Sequence, residues 1–340
     1  MGEGAVLVTG ALGCIGAWTV RDLVMSDVPV VAFDRSTDPR RLRQITTQEQ
    51  FEQVRLIHGD LADLADLQET LVANHVDRVV HLGALQIPFC RADPPLGALV
   101  NVVGTVNVFE AARWVGIPHI VYSSSIAVFD WGPERGLLTV DAPARPVSHY
   151  GAYKLANEGT ARAYWADFGV SSIGIRPMTV YGPGRDQGLT SSPTRGILAA
   201  VLGHRYEIGF GGTTLFHYAG DVGRALAVAA HTPGAGAHVV NLNGVRASIS
   251  DVVASLQDLV GSSAEGITFS PSALPFPDDV DTSGLDMIGP PSVTPLNEGI
   301  AATVEFFRDL QSRGALEVGE HGLVVGDGVV LDRESVPSAE

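Results

Sequence analysis

The stretch AVLVTGALGCIG, residues 5–16, leaves little freedom in what the chain folds into. An apolar run ends in Gly10, and Gly13 and Gly16 follow at three-residue spacing before helix-forming residues begin. That is the pattern of a strand turning sharply into a helix. Glycines there let the backbone approach a pyrophosphate, which rests on the free N–H groups and positive dipole end of the helix. A chain with 39 glycines produces such triplets by chance. The flanking strand and helix patterns make this one specific.

The same alternation continues. Short apolar runs at 5–9, 29–33, 54–58, 78–82, 119–123 and 172–175 predict strands, and the segments 15–25, 64–74, 96–115 and 150–168 predict helices. Strands separated by helices of this length imply βαβ units and a parallel sheet covered on both faces. The fold class is therefore α/β, a Rossmann-type doubly wound sheet. Beyond RPMTVYGPGR the chain becomes dense in Gly, Pro, Ser and Thr, and VVNLNG with ISDVVASLQDLVG suggests a smaller C-terminal α/β lobe. The expected division is a dinucleotide-binding domain at 1–176, a substrate lobe at 177–315 interleaved with it, and a tail at 316–340. TPLNEGIAATVEFFRDLQSR predicts a late amphipathic helix with Thr294 as its cap, and LVVGDGVVL a hairpin around a Gly-Asp-Gly turn.

Asp34 closes the second strand, 18 residues past Gly16. An acid there accepts hydrogen bonds from the adenosine ribose and repels a 2′-phosphate, which selects NAD over NADP. Arg35 follows and softens that preference. HGDLAD after the third strand offers Asp60 and Leu61 to the adenine.

A formal charge of −16 argues against nucleic acid or an anionic membrane as partner. Two cysteines, Cys14 and Cys90, make no disulfide framework and suit a reducing cytoplasm. No signal-peptide pattern precedes GAVLVTG, no uninterrupted apolar run reaches about 18 residues, and no His or Cys spacing predicts a metal site.

Of the 22 basic residues, Lys154 is the only lysine. A coding bias explains its absence elsewhere but not its place, four residues after Tyr150 on a helix, where the two share a face. Arginine, a rigid planar fork, cannot replace a compact rotatable ammonium. A tyrosine near its ordinary pKa is a poor base at neutral pH. An adjacent ammonium and the positive ring of NAD⁺ lower that value, so Tyr150 can take a proton from a substrate hydroxyl as hydride leaves the same carbon.

TGALGCIG, GDL, HLGAL, NVVGTVNVFEAAR, VYSSSIAVF, YGAYK and RPMTVYGPG occur in that order over residues 8–184. Together they resemble the extended branch of the short-chain dehydrogenase/reductase superfamily, the NAD-dependent epimerase/dehydratase family. The resemblance implies that Lys154 holds the nicotinamide ribose and that Ser125, with Ser124 as rival, orients the substrate oxygen. It also places Cys14, Ile15, Leu82, Gly83, Ala84, Asn101 and Pro177 along the cofactor, Cys14 more for packing than for chemistry. Gln86 could touch substrate, and Arg185 and Arg195, flanking DQGLTSSPT, could clasp a carboxylate.

The resemblance also sorts reactions. Dehydratases carry an Asp-Glu pair where Ile126 and Ala127 stand, which disfavours dehydration. Residues that grip a nucleotide diphosphate in the family are replaced by Thr179 and Thr214, which favours a small non-nucleotide polyhydroxy substrate such as a sugar, sugar acid or polyol. The first reading is thus an NAD-dependent dehydrogenase of such a compound, and the alternative a nucleotide-sugar 4-epimerase. A cofactor-sensing regulatory protein is a third, opposed by the intact Ser125, Tyr150 and Lys154. A homodimer through the helices near 97–115 and 151–168 is expected from the same resemblance.

Overall fold

A computed structural model describes residues 4–129, 137–232, 234–289, 291–319 and 322–324. The first strands in chain order are β1 (Ala5–Thr9), β2 (Val30–Asp34), β3 (Val54–His58), β4 (Val76–His81), β5 (His119–Ser123) and β6 (Ser171–Arg176). There follow β7 (Thr179–Tyr181), β8 (Tyr206–Ile208), β9 (Thr213–Tyr218), β10 (Ala237–Asn241), β11 (Val245–Ser248) and β12 (Ile267–Phe269).

β1 to β6 and β10 form one parallel sheet in the order β10-β6-β5-β4-β1-β2-β3. The order reverses at β1, so the crevice for a dinucleotide opens at the carboxyl ends of β1 and β4. Alternate residues of β1 feed different cores: Val6 and Val8 pack with Val20, Leu23 and Leu226, whereas Leu7 packs with Val31, Leu67 and Phe109. A sheet buried on both faces therefore reads as an unbroken apolar run. The helix Cys14–Met25 lies on the helix Ala219–Ala230, closely enough that a Cβ on Gly223 would stand 2.6 Å from the Trp18 Cβ.

The smaller lobe is built on the mixed sheet β11-β9-β7 and the pair β12-β8. Its core gathers Tyr181, Phe216, Ile249, Ile300 and Phe307. The chain leaves the large sheet after β6 and returns to it as β10, so the two lobes share their boundary.

Strand ends differ from expectation by a residue or two. The helices Arg40–Ile45 and Gln48–Glu52 fill a connection in which no element was expected. The helix expected at 96–115 runs from Pro94 to Val115 with a π-helical turn at Leu99–Val103. At 22 residues and a mean hydropathy of 1.3 it is long and apolar enough to cross a membrane. Here Val108, Phe109, Ala111 and Ala112 bury it against the sheet as a core helix. Thr294 does not cap the late helix, Leu296–Ser312, which Pro295 precedes. Its N–H and hydroxyl both donate to Asp221, a partner the local sequence does not reveal. The terminal pairing joins β13 (Glu317–Gly319) to β14 (Gly322–Val324), and the Gly-Asp-Gly turn at 326–328 lies outside the described residues.

Candidate active site

The glycine loop has the shape its sequence predicts. Gly10 has φ +64°, and a Cβ there would stand 2.6 Å from the Gly83 N, while one on Gly16 would stand 2.1 Å from the Gly10 O. Gly13 is the N-cap of the helix Cys14–Met25, which has no side-chain cap and no acid in its first turn. Its leading N–H groups are therefore left to an anion. Asp34 does more than expected: Oδ2 accepts from the Leu12 N–H at 2.9 Å and Oδ1 from the Ser36 N–H at 2.8 Å. Each oxygen keeps a lone pair for a ribose hydroxyl, so one carboxylate both pins the loop and faces the cofactor crevice. Arg35 is exposed. Asp60 is exposed and accepts from the Ala62 N–H, and Leu61 is buried, its side chain packed beneath Gly83. Burial pushes the Cys14 thiol up to about 12, and its sulfur contacts the Pro183 carbonyl, which fits packing. Ile15 is half-buried against the sheet core.

His81, which sequence reasoning did not single out, ties this loop to the helix above it. Its Nδ1 lies 2.7 Å from the Thr9 Oγ1 and its Nε2 2.9 Å from the Thr105 Oγ1. The Thr105 hydroxyl donates to the Asn101 carbonyl at 2.7 Å, so Nε2 carries the ring proton and Nδ1 accepts from Thr9. Thr9 Oγ1 in turn accepts from the N–H groups of Leu82 and Gly83. Asn101, in the π-helical turn, brackets Leu85: Oδ1 accepts from its N–H at 2.7 Å and Nδ2 donates to its carbonyl at 2.8 Å. The run Leu82, Gly83 and Ala84 is thus held from both ends.

Burial, and secondarily the Lys154 charge, lower the His81 pKa to about 3. A folded-state value below the unfolded one gives stability that is complete above pH 6.5 and lost as pH falls toward 3. Between pH 6.5 and 3 the wild type is therefore expected to lose up to about 1.4 kcal/mol per pH unit more than His81→Gln. Urea denaturation at pH 7 and pH 5 checks this, and equal slopes would refute it.

The reactive corner is assembled by a close approach. The helix His149–Phe168 starts at Ser148, whose Oγ accepts from the Gly151 N–H at 3.0 Å. A Cβ on Gly151 would stand 2.0 Å from the Ala127 carbonyl oxygen, so only glycine lets this helix press on the turn Ile126–Val128. That contact sets the Tyr150 phenol beside the Ser125 side chain, which favours its ionisation. Ser124 points elsewhere: it is fully buried and donates to Glu158 at 2.6 Å. Pro177 is buried, and its carbonyl accepts from the Ile126 N–H.

Lys154 is 4% exposed, donates from Nζ to the Ser123 carbonyl at 2.7 Å, and sits 5.7 Å from the Tyr150 ring centroid. Burial lowers its pKa to about 8, against the opposing fields of Cys90 and Glu158. Burial raises the Tyr150 phenol above the ordinary tyrosine value, while the neighbouring Ser125 hydroxyl and the Arg185 charge pull it back. Arg185 is thus a cation near the phenol that the sequence pairing of Tyr150 with Lys154 did not include. Tyr153 is structural and donates to the Pro94 carbonyl at 2.8 Å.

On the substrate side, the Gln86 Oε1 is buried with no hydrogen-bond partner among the described residues, and a Cβ on Gly188 would stand 2.1 Å from it and 3.4 Å from an Arg185 terminal nitrogen. Gln86 and Arg185 therefore meet beside Gly188. Arg195 is half-buried, its guanidinium 5.7 Å from the Tyr206 ring centroid. Thr179 does not reach the crevice. It is fully buried, 2.8 Å from the Thr214 hydroxyl, which donates on to the Met178 sulfur, because β7 pairs with β9 and turns both threonines inward.

Residues 6–243 match the NAD dependent epimerase/dehydratase family. A UDP-glucose 4-epimerase from Mycolicibacterium smegmatis is 32% identical over 314 residues, covering 89% of this chain and 98% of that protein. MoeE5, solved in complex with UDP-glucose and NAD, is 32% identical with a TM-score of 0.76, covering 91% of this chain and 100% of its own. A partial-consensus L-threonine 3-dehydrogenase shares the fold at 23% identity, with a TM-score of 0.78 over 91% of this chain and 99% of its own. Fold alone therefore does not separate an epimerase from a dehydrogenase.

Proposed function

Because the chain belongs to the NAD dependent epimerase/dehydratase family, we propose that it inverts a secondary hydroxyl, at C4, of a nucleotide-linked sugar. The observation that carries this reading is its likeness to the mycobacterial UDP-glucose 4-epimerase along nearly that protein's whole length.

The glycine loop Gly10–Gly16 and Asp34 would hold NAD, which would supply a reversible hydride acceptor there. Tyr150 removes the hydroxyl proton as the hydrogen on the same carbon departs with its electron pair. Ser125, beside the phenol, orients the sugar oxygen. Lys154 spends one N–H on the Ser123 carbonyl and has two left for ribose hydroxyls. Once the keto sugar has turned over, Tyr150 would give its proton back to the same oxygen, restoring a hydroxyl of the opposite configuration. The Gln86 carbonyl oxygen accepts from a sugar hydroxyl, and Arg185 faces an oxygen-rich or acidic substituent.

This reverses the preference for a small non-nucleotide substrate. Thr179 and Thr214 close on one another and so identify two side chains that do not grip a diphosphate, without excluding others. That closed pair is the one feature favouring the second reading, a dehydrogenase of a free polyhydroxy compound. A homodimer is part of the proposal, supported by the exposure of Trp114, Trp165 and Phe168 on the helices Gly104–Val115 and His149–Phe168.

Purified without added cofactor, the protein is expected to release near-stoichiometric NAD on denaturation. It should interconvert UDP-glucose and its C4 epimer, followed by NMR, with no net NADH. Net NADH from a free sugar, with no inversion of any nucleotide sugar, would install the dehydrogenase instead.

A further inference from the structure

We propose that the segment 182–188 is a strap across the mouth of the cofactor crevice, and that Arg41 and Asp186 form the latch that holds it down and sets how fast NAD enters and leaves. The latch acts on the cofactor alone, so it serves an epimerase or a dehydrogenase alike.

The crevice opens at the carboxyl ends of β1 and β4, and the segment touches the loop that follows each strand. On the β1 side the Pro183 carbonyl accepts from the Trp18 Nε1 at 3.0 Å and meets the Cys14 sulfur. A Cβ on Gly184 would stand 3.8 Å from the Cys14 Cα, the first residue of the helix whose leading N–H groups are left to an anion. On the β4 side Gly188 lies against the Gln86 Oε1. Seven residues thus reach from one loop to the other.

Little in the backbone of the segment fixes this course. Gly182 and Gly188 have φ +116° and +92°, values that other residues adopt only with strain, and glycine has the most freedom to lose on ordering. The internal bonds, from the Arg185 N–H to the Gly182 carbonyl and from the Asp186 N–H to the Gly184 carbonyl, close local turns. Its placement therefore rests on side chains from outside. Arg41 Nε donates to the Asp186 Oδ2 at 3.0 Å and a terminal nitrogen to Oδ1 at 2.8 Å, with the two side chains 20% and 21% exposed. The other terminal nitrogen donates to the Leu12 carbonyl at 3.3 Å, so one guanidinium grips both the strap and the glycine loop. A paired fork of this kind fixes direction as well as distance. Arg41 works from a firm base, because Leu42 beside it is fully buried in the core of the large sheet.

The test follows radiolabelled NAD leaving the loaded enzyme into excess unlabelled NAD, with the melting temperature of the NAD-saturated protein as the check on folding. Asp186→Asn keeps the shape of the side chain and loses the paired charge. It should speed release about tenfold, and uptake with it, since a latch opens for entry as for exit. Arg41→Lys keeps the positive charge but not the fork, and should also speed release. If Arg41 served the cofactor's phosphates directly, Asp186→Asn would free it and remove a repelling carboxylate, so release would slow. Slower or unchanged release from Asp186→Asn overturns the proposal, as does wild-type release from Arg41→Lys. A melting temperature that falls in step with faster release would make the pair merely structural and overturn it too.

Discussion

Tyr150→Phe is expected to lower kcat by about a thousandfold while NAD content and melting temperature stay at their wild-type values. The substitution removes one oxygen and nothing that shapes the helix. Ser148 still caps it, Gly151 still presses on Ala127, and Lys154 still donates to the Ser123 carbonyl. What is lost is the phenol beside Ser125 that carries a proton to and from the sugar oxygen. The pH profile separates this loss from a packing defect. Burial holds the phenol above the ordinary tyrosine range, so wild-type activity should climb with pH as phenolate forms, and the residual activity of the variant should lack that limb. Lys154, with a pKa of about 8, begins to lose its charge within the same range, and the climb should flatten there. A variant retaining more than about a tenth of the wild-type rate would move the base elsewhere.

How much of this was legible in the sequence follows how local each feature is. The glycine loop, Asp34 and the Tyr150–Lys154 pair each depend on a few neighbouring residues and a helix or strand whose pattern is plain. Ser125 needed family spacing, because nothing local separates it from Ser124; only the Glu158 carboxylate, 34 residues away, does that. His81 was missed because a histidine ending an apolar strand resembles a core residue. Its partner Thr9 is 72 residues distant in the chain yet stands level with it across β1 and β4. A polar residue closing each of two neighbouring strands was the available signal. Thr179 was misjudged for the opposite reason: its direction is set by pairing with β9, which no pattern around residue 179 records.

The largest loss of stability is expected from Glu158→Ala, about 3–5 kcal/mol by chemical denaturation. Glu158 and Arg176 are 1% and 5% exposed at their side chains and meet through two bonds of 2.7 Å, Nε to Oε1 and a terminal nitrogen to Oε2. Arg176 also donates to the Val140 carbonyl at 3.0 Å and lies 4.8 Å from the Phe129 ring centroid. Truncating the acid leaves a guanidinium sealed among these groups with no counter-charge, and it strands the Ser124 hydroxyl as well. The penalty is that of an unmatched buried charge, not the net worth of the pair. Replacing both partners at once, Glu158→Met with Arg176→Met, should therefore destabilise less than Glu158→Ala alone. Catalysis should suffer beyond folding, because Ser124 precedes Ser125 and Glu158 sits one turn after Lys154 on the same helix. A Glu158→Ala loss below about 1 kcal/mol would mean that water reaches the pair, and that the link between β6 and the catalytic helix is not what holds Ser125 against Tyr150.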